Sequence, residues 1–234
     1  MIEQIATYFA QHGGDWLEML GQHLAISGIS LAIAALIALP LGALCARTAL
    51  AERIATGAAS VLRVVPSLAV LILCVPYLGV GALPAVVALA ALAVPPMLIN
   101  TVSALRGVPA DILEAATAMG MGPVRLWLTV KIPLAFPVAF AGIRTAASEV
   151  VASASLAAYI GAGGLGVLIY TGIGAMRFDL LWIGGLSVAA LSLVVNRVLA
   201  LVDARVRRWQ TATAPHPRPA HRARTRTPPP KGTT

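Results

Sequence analysis

Residues 111–133, DILEAATAMGMGPVRLWLTVKIP, form the longest amphipathic stretch between the apolar runs of this 234-residue chain. Asp111 and Glu114 have the spacing of a capping box, with Glu114 three residues after the residue expected to cap a helix. The apolar side chains that follow share one face of that helix: Ile112, Leu113, Ala116 and Met119. The pattern predicts a short amphipathic helix at the start of the stretch.

The same stretch contains a break and a second helical pattern. Gly120 is suited to a left-handed helix stop, and the Gly-Pro pair that follows prevents simple continuation. A second helix can begin at Pro123, since proline is favoured at the first helical position. We expect Pro133 to end it, because proline disrupts a helix interior. The sequence therefore predicts a helix, a break and a helix.

The composition around this stretch indicates an integral membrane protein. Hydrophobic residues make up 59% of the chain and charged residues 11%, with a mean hydropathy of +0.86. A soluble domain of this size could not cover so much apolar surface. Alternating strand patterns are absent from the sequence, so we expect an all-α fold and not a β-barrel.

The apolar runs predict five spans, on the basis that one helix needs about 20 residues to cross a bilayer. The run from Val64 to Leu105 has no charge over 42 residues and should be a helical hairpin that turns within Gly79–Pro84. The predicted spans lie near 24–46, 64–79, 83–105, 134–159 and 180–202. A sixth span through 160–177 would put the basic C-terminal tail outside, so we expect a re-entrant or interfacial segment there.

The distribution of basic residues predicts the orientation. With five spans, one side of the membrane carries many bases and the other only Arg177. The bases of the first side, before the far tail is counted, are Arg47, Arg53, Arg63, Arg106, Arg125, Lys131, Arg205, Arg207 and Arg208. The positive-inside rule then places the N-terminus outside, and residues 106–133 and the C-terminus in the cytoplasm. The net charge of +8 thus needs no nucleic acid to explain it, and the Arg-rich tail suits anionic lipid.

Two charged residues, Arg144 and Glu149, lie inside the fourth predicted span. Charges at that depth usually face a bundle interior or a wet cavity. Small and polar residues at helical spacing surround them: Thr145, Ser148, Glu149, Ala152 and Ser153. Thr145, Ser148, Glu149 and Ser153 are therefore candidates for lining a translocation path. Glu149 could equally pair with a base on another helix, and a structural role is favoured for Arg144.

No other motif supports a catalytic or metal site. Gly161-x-Gly163-x-x-Gly166 matches the dinucleotide-binding pattern, but no strand pattern precedes it and no acidic residue follows at the required distance. A phosphate-binding loop is absent, so any ATP should be bound by a partner and this chain should hold no cofactor of its own. The four histidines lack metal-ligand spacing, and Cys45 and Cys74 are isolated. We expect neither an enzyme nor a metal protein.

The amphipathic stretch also resembles a known family element. Glu114-Ala115-Ala116, Gly120 and Val130-Lys131-Ile132-Pro133 are similar to the "EAA" loop of ABC-transporter permease subunits. The chain departs from that pattern only at Val130 and Ile132, where one apolar residue replaces another. The resemblance implies a cytoplasmic coupling loop that docks on a separate ATPase. The coupling residues it implies are Asp111, Glu114, Ala115, Ala116, Gly120 and Pro133.

Three further elements resemble one branch of these permeases. They are 65–69 (VPSLA), 141–146 (AGIRTA) and 158–166 (AYIGAGGLG). They are similar to elements of the osmoprotectant permeases for glycine betaine, carnitine and choline, and methionine or other amino-acid permeases remain the alternative. The resemblance implies two ATP-binding subunits, a second copy or a sister permease, and an extracytoplasmic substrate-binding protein in a bacterial inner membrane.

Composition and the distribution of charge divide the chain into three parts. Residues 1–23 are expected to form an extracytoplasmic segment, 24–205 the transmembrane permease domain with its coupling loop at 106–133, and 206–234 a disordered basic cytoplasmic tail. An ion-gradient-driven secondary transporter is the competing class, but it predicts inverted repeats and more charges within the membrane.

Overall fold

A computed structural model describes residues 2–212 of the chain, and these residues contain helices and no strand. Within residues 2–212, nine α-helices follow one another as α1 Ile2–Cys45, α2 Ala49–Leu62, α3 Ser67–Leu78, α4 Ala82–Arg106, α5 Ala110–Ala118, α6 Pro123–Leu126, α7 Ile132–Ala157, α8 Gly166–Gly174 and α9 Phe178–Ala212. A π-helical turn, Trp127–Lys131, joins α6 to α7, and a 3₁₀ turn, Ala158–Ile160, follows α7. The all-α prediction is confirmed.

In the part of the chain that the structure describes, four helical segments are long and apolar enough to cross a membrane, and a bent pair of helices could supply a fifth span. The four are Ile5–Cys45, Ala82–Arg106, Pro123–Ile160 and Phe178–Arg205, and the bent pair is α2 with α3. The expectation of about five spans is therefore confirmed. The segment at 160–177 contains only α8, whose nine residues are too few to cross the bilayer.

The first helix begins much earlier than the apolar run near Leu24 predicts. It starts at Ile2 and continues through a kink at His12, where φ is −126° and ψ is 23°. Its 44 residues correspond to about 66 Å, roughly twice the hydrocarbon thickness. Residues 2–23 are helical because their apolar side chains have a partner. Tyr8 packs with Leu168, Leu180 and Ile183 of α8 and α9.

The charges of residues 47–63 indicate a polar loop between the first two predicted spans, but residues 49–62 form the helix α2. Thr48 caps it, with its hydroxyl accepting from the Ala51 N–H at 3.2 Å. The next helix, α3, has 12 residues, about 18 Å, which is too short for the separate span predicted near 64–79. The chain bends by 91° between the two helices. Together they take the place of one span that is broken at residues 63–66.

The hairpin between α3 and α4 turns where the sequence predicts. Gly79 and Gly81 both adopt positive φ, 78° and 111°, which favours glycine. The Gly81 N–H donates to the Ile160 carbonyl at 2.8 Å. This bond ties the hairpin to the end of α7.

The helix α4 lies at the centre of the bundle and packs against α1, α2, α3 and α7. Ala85, Ala88 and Ala93 on α4 have no exposed surface, and small residues of this kind let transmembrane helices approach closely. The closest approach to α7 is at Gly142. A Cβ there would lie 2.6 Å from Asn100 Cβ and 2.8 Å from the Pro96 carbonyl oxygen.

We expect Gly142→Ala to destabilise the protein by about 1–3 kcal/mol, the usual cost of overpacking a closely packed site. The added methyl would meet a backbone atom that cannot move aside. The measurement is the apparent midpoint of thermal unfolding in detergent. Gly28→Ala is the control, because a Cβ at Gly28 has no neighbour within 4 Å. Equal midpoints for the two variants would contradict this packing.

Candidate functional site

The amphipathic helix α5 is attached to the bundle by few side chains. Ala116 is buried and Leu113 half-buried, whereas Ile112 and Met119 are 39% and 72% exposed. Asp111, Glu114 and Ala115 are also exposed. The helix therefore presents an apolar and acidic surface that nothing in residues 2–212 covers.

The predicted capping box is wrong. The residue that precedes the helix is Pro109, in an extended conformation, and no side chain caps the first turn. Asp111 lies inside that first turn because the helix begins at Ala110, two residues earlier than a cap at Asp111 requires. Its carboxylate still favours the helix electrostatically, since the N-terminal end of a helix carries partial positive charge.

The helix ends as the sequence predicts. Gly120 adopts φ +81° and its N–H donates to the Thr117 carbonyl at 2.9 Å, while the Met121 N–H reaches the Ala116 carbonyl at 3.2 Å. This is the hydrogen-bond pattern of a glycine-terminated helix. The second helix begins at Pro123, also as predicted.

The prediction that Pro133 ends the second helix is wrong, because Pro133 lies in the first turn of α7. Proline disrupts a regular helix, since it lacks an N–H and its ring meets the carbonyl four residues back. Here the preceding turn is π-helical, and the Ile132 N–H bonds the Trp127 carbonyl five residues earlier. The widened turn accommodates the proline, so α6, the π-helical turn and α7 form one continuous helical segment, which the break at Gly120 separates from α5. Trp127 packs against the main core and anchors this junction.

The polar face of α7 lines a groove of about 410 Å³. Of the four candidate path residues, Thr145, Ser148 and Glu149 border this groove, and Ser153 does not. The two hydroxyls turn back to their own helix: Thr145 donates to the Ala141 carbonyl at 3.1 Å and Ser148 to the Arg144 carbonyl at 3.2 Å. Both hydroxyls are therefore bonded to carbonyls of α7 itself, and both side chains border the groove.

Glu149 pairs with a base outside α7, as one of the two alternatives from the sequence predicts, although the sequence does not indicate which base. Arg63 Nη2 donates to Glu149 Oε1 at 3.0 Å, and both side chains remain partly exposed, 45% and 40%. Arg63 lies at the break between α2 and α3, although it is one of the bases that the sequence places in a cytoplasmic loop. The available signal was the proline three residues later, at Pro66, which marks a break next to a charge.

Arg144 has the structural role that the sequence favours for it. Its Nη1 lies 3.5 Å from Asp203 Oδ2, and its Nη2 donates to Asn196 Oδ1 at 3.1 Å. Both partners are on α9, and the Asp203 side chain is only 9% exposed. Arg144 therefore connects α7 to α9.

The glycine-rich segment at 161–166 packs closely on other helices. Its glycines therefore have a structural role, in agreement with the rejection of a nucleotide-binding motif. The Gly164 N–H donates to Gln22 Oε1 at 3.0 Å, and a Cβ at Gly163 would lie 2.3 Å from the same oxygen. A Cβ at Gly166 would lie 2.0 Å from the Ser155 carbonyl oxygen. Among residues 2–212, no group of three or more His, Cys, Asp or Glu residues could hold a metal ion.

Comparison with known proteins agrees with this arrangement. Residues 38–208 match the family described as the inner membrane component of binding-protein-dependent transport systems. The chain belongs to this family. It is a multi-pass inner-membrane permease subunit of an ABC importer, a class of transporter that works with ATP-binding subunits.

Two relatives match the permease over nearly their whole length. It is 40% identical over 205 residues to the carnitine transport permease protein OpuCB of Listeria monocytogenes, covering 88% of this chain and 94% of the relative. It is 35% identical, with the same coverage, to the glycine betaine/carnitine/choline transport system permease protein OpuCB of Bacillus subtilis. Because each alignment covers 88% of the chain, it includes residues 106–133 and α7.

Solved structures share the fold. The permease matches the MetNI methionine ABC transporter in an inward-facing conformation with a TM-score of 0.72 and 21% identity, over 82% of this chain and 95% of that chain. It also matches an amino acid ABC transporter with a TM-score of 0.65 and 17% identity, over 84% of this chain and 96% of that chain. At these identities the likeness concerns the fold alone.

Proposed function

We propose that this permease imports quaternary-ammonium osmoprotectants such as glycine betaine, carnitine and choline. The observation that carries the proposal is the near full-length match to relatives named for these substrates, at 40% and 35% identity. Import of methionine or another amino acid is the second candidate, favoured by the fold shared with the methionine transporter. That likeness, at 21% identity, concerns the fold and not the substrate, so this candidate has less support than the first.

The proposed assembly contains two ATP-binding subunits, a second copy of this chain or a sister permease, and an extracytoplasmic substrate-binding protein. In it, ATP is held by the partner subunits, and this chain holds no cofactor and has no ATPase site of its own. The absence of a phosphate-binding loop from the sequence supports this division of labour.

The proposed contact with the ATPase is the exposed surface of α5 and its glycine stop. Ile112 and Met119 supply apolar surface, and Glu114 and Ala115 are exposed beside them. Two other residues of the loop have a structural role. Ala116 holds the helix on the bundle, and Gly120 ends the helix. Because the segment runs through Pro133 into α7, closure of the ATPases would move α7 as a lever.

The proposed translocation path follows the polar face of α7, with Thr145, Ser148, Glu149 and Ser153 on it. A charged side chain at membrane depth is costly when it faces lipid. The partly exposed Glu149 must therefore face a water-filled path or a second permease chain. Rocking of the spans would open that path to each side in turn.

The proposed orientation places the N-terminus outside and the coupling loop in the cytoplasm, following the positive-inside rule. We expect a membrane-impermeant thiol reagent to label Gln11→Cys in intact cells and to label Arg125→Cys only after the cells are opened. Both positions are exposed. The variants would be made in a chain with Cys45 and Cys74 replaced by Ser. Labelling of Arg125→Cys in intact cells would overturn the orientation.

We expect Gly120→Trp to abolish co-purification of the ATP-binding subunit, because it adds bulk and backbone strain at the end of the docking helix. Nothing lies within 4 Å of a Cβ at Gly120, so the bundle itself should still fold. Gly14→Trp is the matched control. Gly14 also has open space around it, and it lies in α1, away from the docking helix. Association and transport at wild-type levels in Gly120→Trp would contradict the docking proposal.

The substrate is tested by ATPase activity in reconstituted membranes that contain this chain, its ATP-binding subunits and its binding protein. Glycine betaine, carnitine, choline and methionine are added in turn. We expect a quaternary ammonium compound to stimulate hydrolysis and methionine to have no effect. Stimulation by methionine alone would favour the second candidate, and uptake that needs no ATP-binding subunit would indicate a secondary transporter.

A further inference from the structure

We propose that the ion pair between Arg63 and Glu149 is the point at which the permease contacts its substrate, and that a zwitterionic substrate replaces the pair as it passes. The inference rests on the proposed function and extends it to substrate selection. In this exchange the Arg63 guanidinium takes the substrate carboxylate, and the Glu149 carboxylate takes its quaternary ammonium group.

The position of Glu149 along α7 places the pair inside the membrane. Glu149 lies eight residues before the end of the 26-residue helix at Ala157, which is about 12 Å along the axis. The helix is about 39 Å long, so with α7 centred in a hydrocarbon layer of about 30 Å the carboxylate lies roughly 7 Å below its surface. Charged side chains at that depth are costly in contact with lipid, and they usually face the interior of the bundle or a water-filled cavity.

The pair is not completely buried. Both side chains keep close to half of their surface, 45% for Arg63 and 40% for Glu149, and Glu149 borders the groove of about 410 Å³. The neighbouring pair of Arg144 with Asp203 differs, because its acid is 9% exposed and a second bond to Asn196 holds the guanidinium. The Arg144 pair has the geometry of a structural tie, although Arg144 and Asn196 also border the groove. In the Arg63 pair, Glu149 is the member that borders it.

Arg63 also lies at a break in the helical backbone. Residues 63–66 separate α2 from α3 at the 91° bend, and Pro66 supplies no N–H to continue a helix. Breaks of this kind in membrane helices are tolerated where the backbone is buried in protein or lines a water-filled cavity. Arg63 can therefore change its partner without disrupting a helix.

Exchange of partners explains why the site holds one charge of each sign. A betaine or carnitine molecule carries a carboxylate and a quaternary ammonium, so it leaves neither Arg63 nor Glu149 unpaired when it enters. Arginine and carboxylate groups form paired, charge-assisted hydrogen bonds, whereas the quaternary ammonium has no N–H and is held by charge alone. A cation without a carboxylate, such as choline, would leave Arg63 unpaired at membrane depth. The pair should thus favour zwitterions over cations.

The test is the ratio of choline uptake to glycine betaine uptake in proteoliposomes, with the ATP-binding subunits present and the binding protein saturated by each compound in turn. We expect Arg63→Gln to raise this ratio at least about tenfold, because a charge-assisted hydrogen bond to the carboxylate is lost. Arg63→Lys keeps the charge but not the paired hydrogen bonds, and should raise the ratio less.

The matched control is Arg106→Gln. Arg106 forms an ion pair with Glu52 at 2.7 Å, and its side chain and that of Glu52 are 35% and 32% exposed, but it lies in the last turn of α4. Loss of this pair should leave the uptake ratio unchanged. If Arg63→Gln does not fold, Arg63→Lys still tests the proposal. Lysine would preserve an ion pair whose role is purely structural, so the uptake ratio would then stay unchanged.

The outcomes separate the two proposals. An unshifted ratio in the Arg63 variants, with or without a parallel fall in both uptakes, would overturn the exchange and leave the proposed function standing. Uptake of choline alone by the wild type would overturn it as well. If the wild type imports neither compound, the proposed function fails, and the exchange that rests on it fails too.

Discussion

The hydrocarbon core of a bilayer offers no hydrogen bonds, and the arrangement of this permease follows from that constraint. Backbone groups are satisfied inside helices, and the irregular segment at 63–66 lies beside polar side chains. The charges within the bundle are matched across helices. Arg63 lies 3.0 Å from Glu149, and Arg144 lies 3.5 Å from Asp203. Each match joins α7 to a different neighbour, so α7 is held by polar contacts on the same face that borders the groove.

This role of α7 connects the two ends of the proposed mechanism. Its first turn continues from the coupling loop through the π-helical turn at 127–131, without the stop that Pro133 would impose on a regular helix. Its outer half carries Glu149. A displacement at α5 would therefore cross one short break, at Gly120, and then reach the polar groove through a single helical segment. Close packing of Gly142 on α4 gives that segment a fixed neighbour to move against.

Local signals in the sequence predict much of this fold. The charge-free run of 64–105 predicts a hairpin, and the turn forms at its glycines, while Gly120 ends α5 where the pattern indicates. Three features depend on contacts that local patterns do not contain. The segment before Leu24 is helical because Tyr8 packs on α8 and α9, and α2 is a helix although its charges suggest a loop. Pro133 is tolerated because a π-helical turn precedes it.

The candidate site shows the same division between local and distant information. The polar face of α7 could be predicted, since helical spacing alone brings Thr145, Ser148 and Glu149 together. Its partner could not, because Arg63 is 86 residues away and follows a helix that reads as a loop. Yet an isolated charge in an apolar run already requires a partner or water, since lipid provides neither. The sequence thus poses the question of what neutralises Glu149, and the structure supplies the answer: a base at the break between α2 and α3.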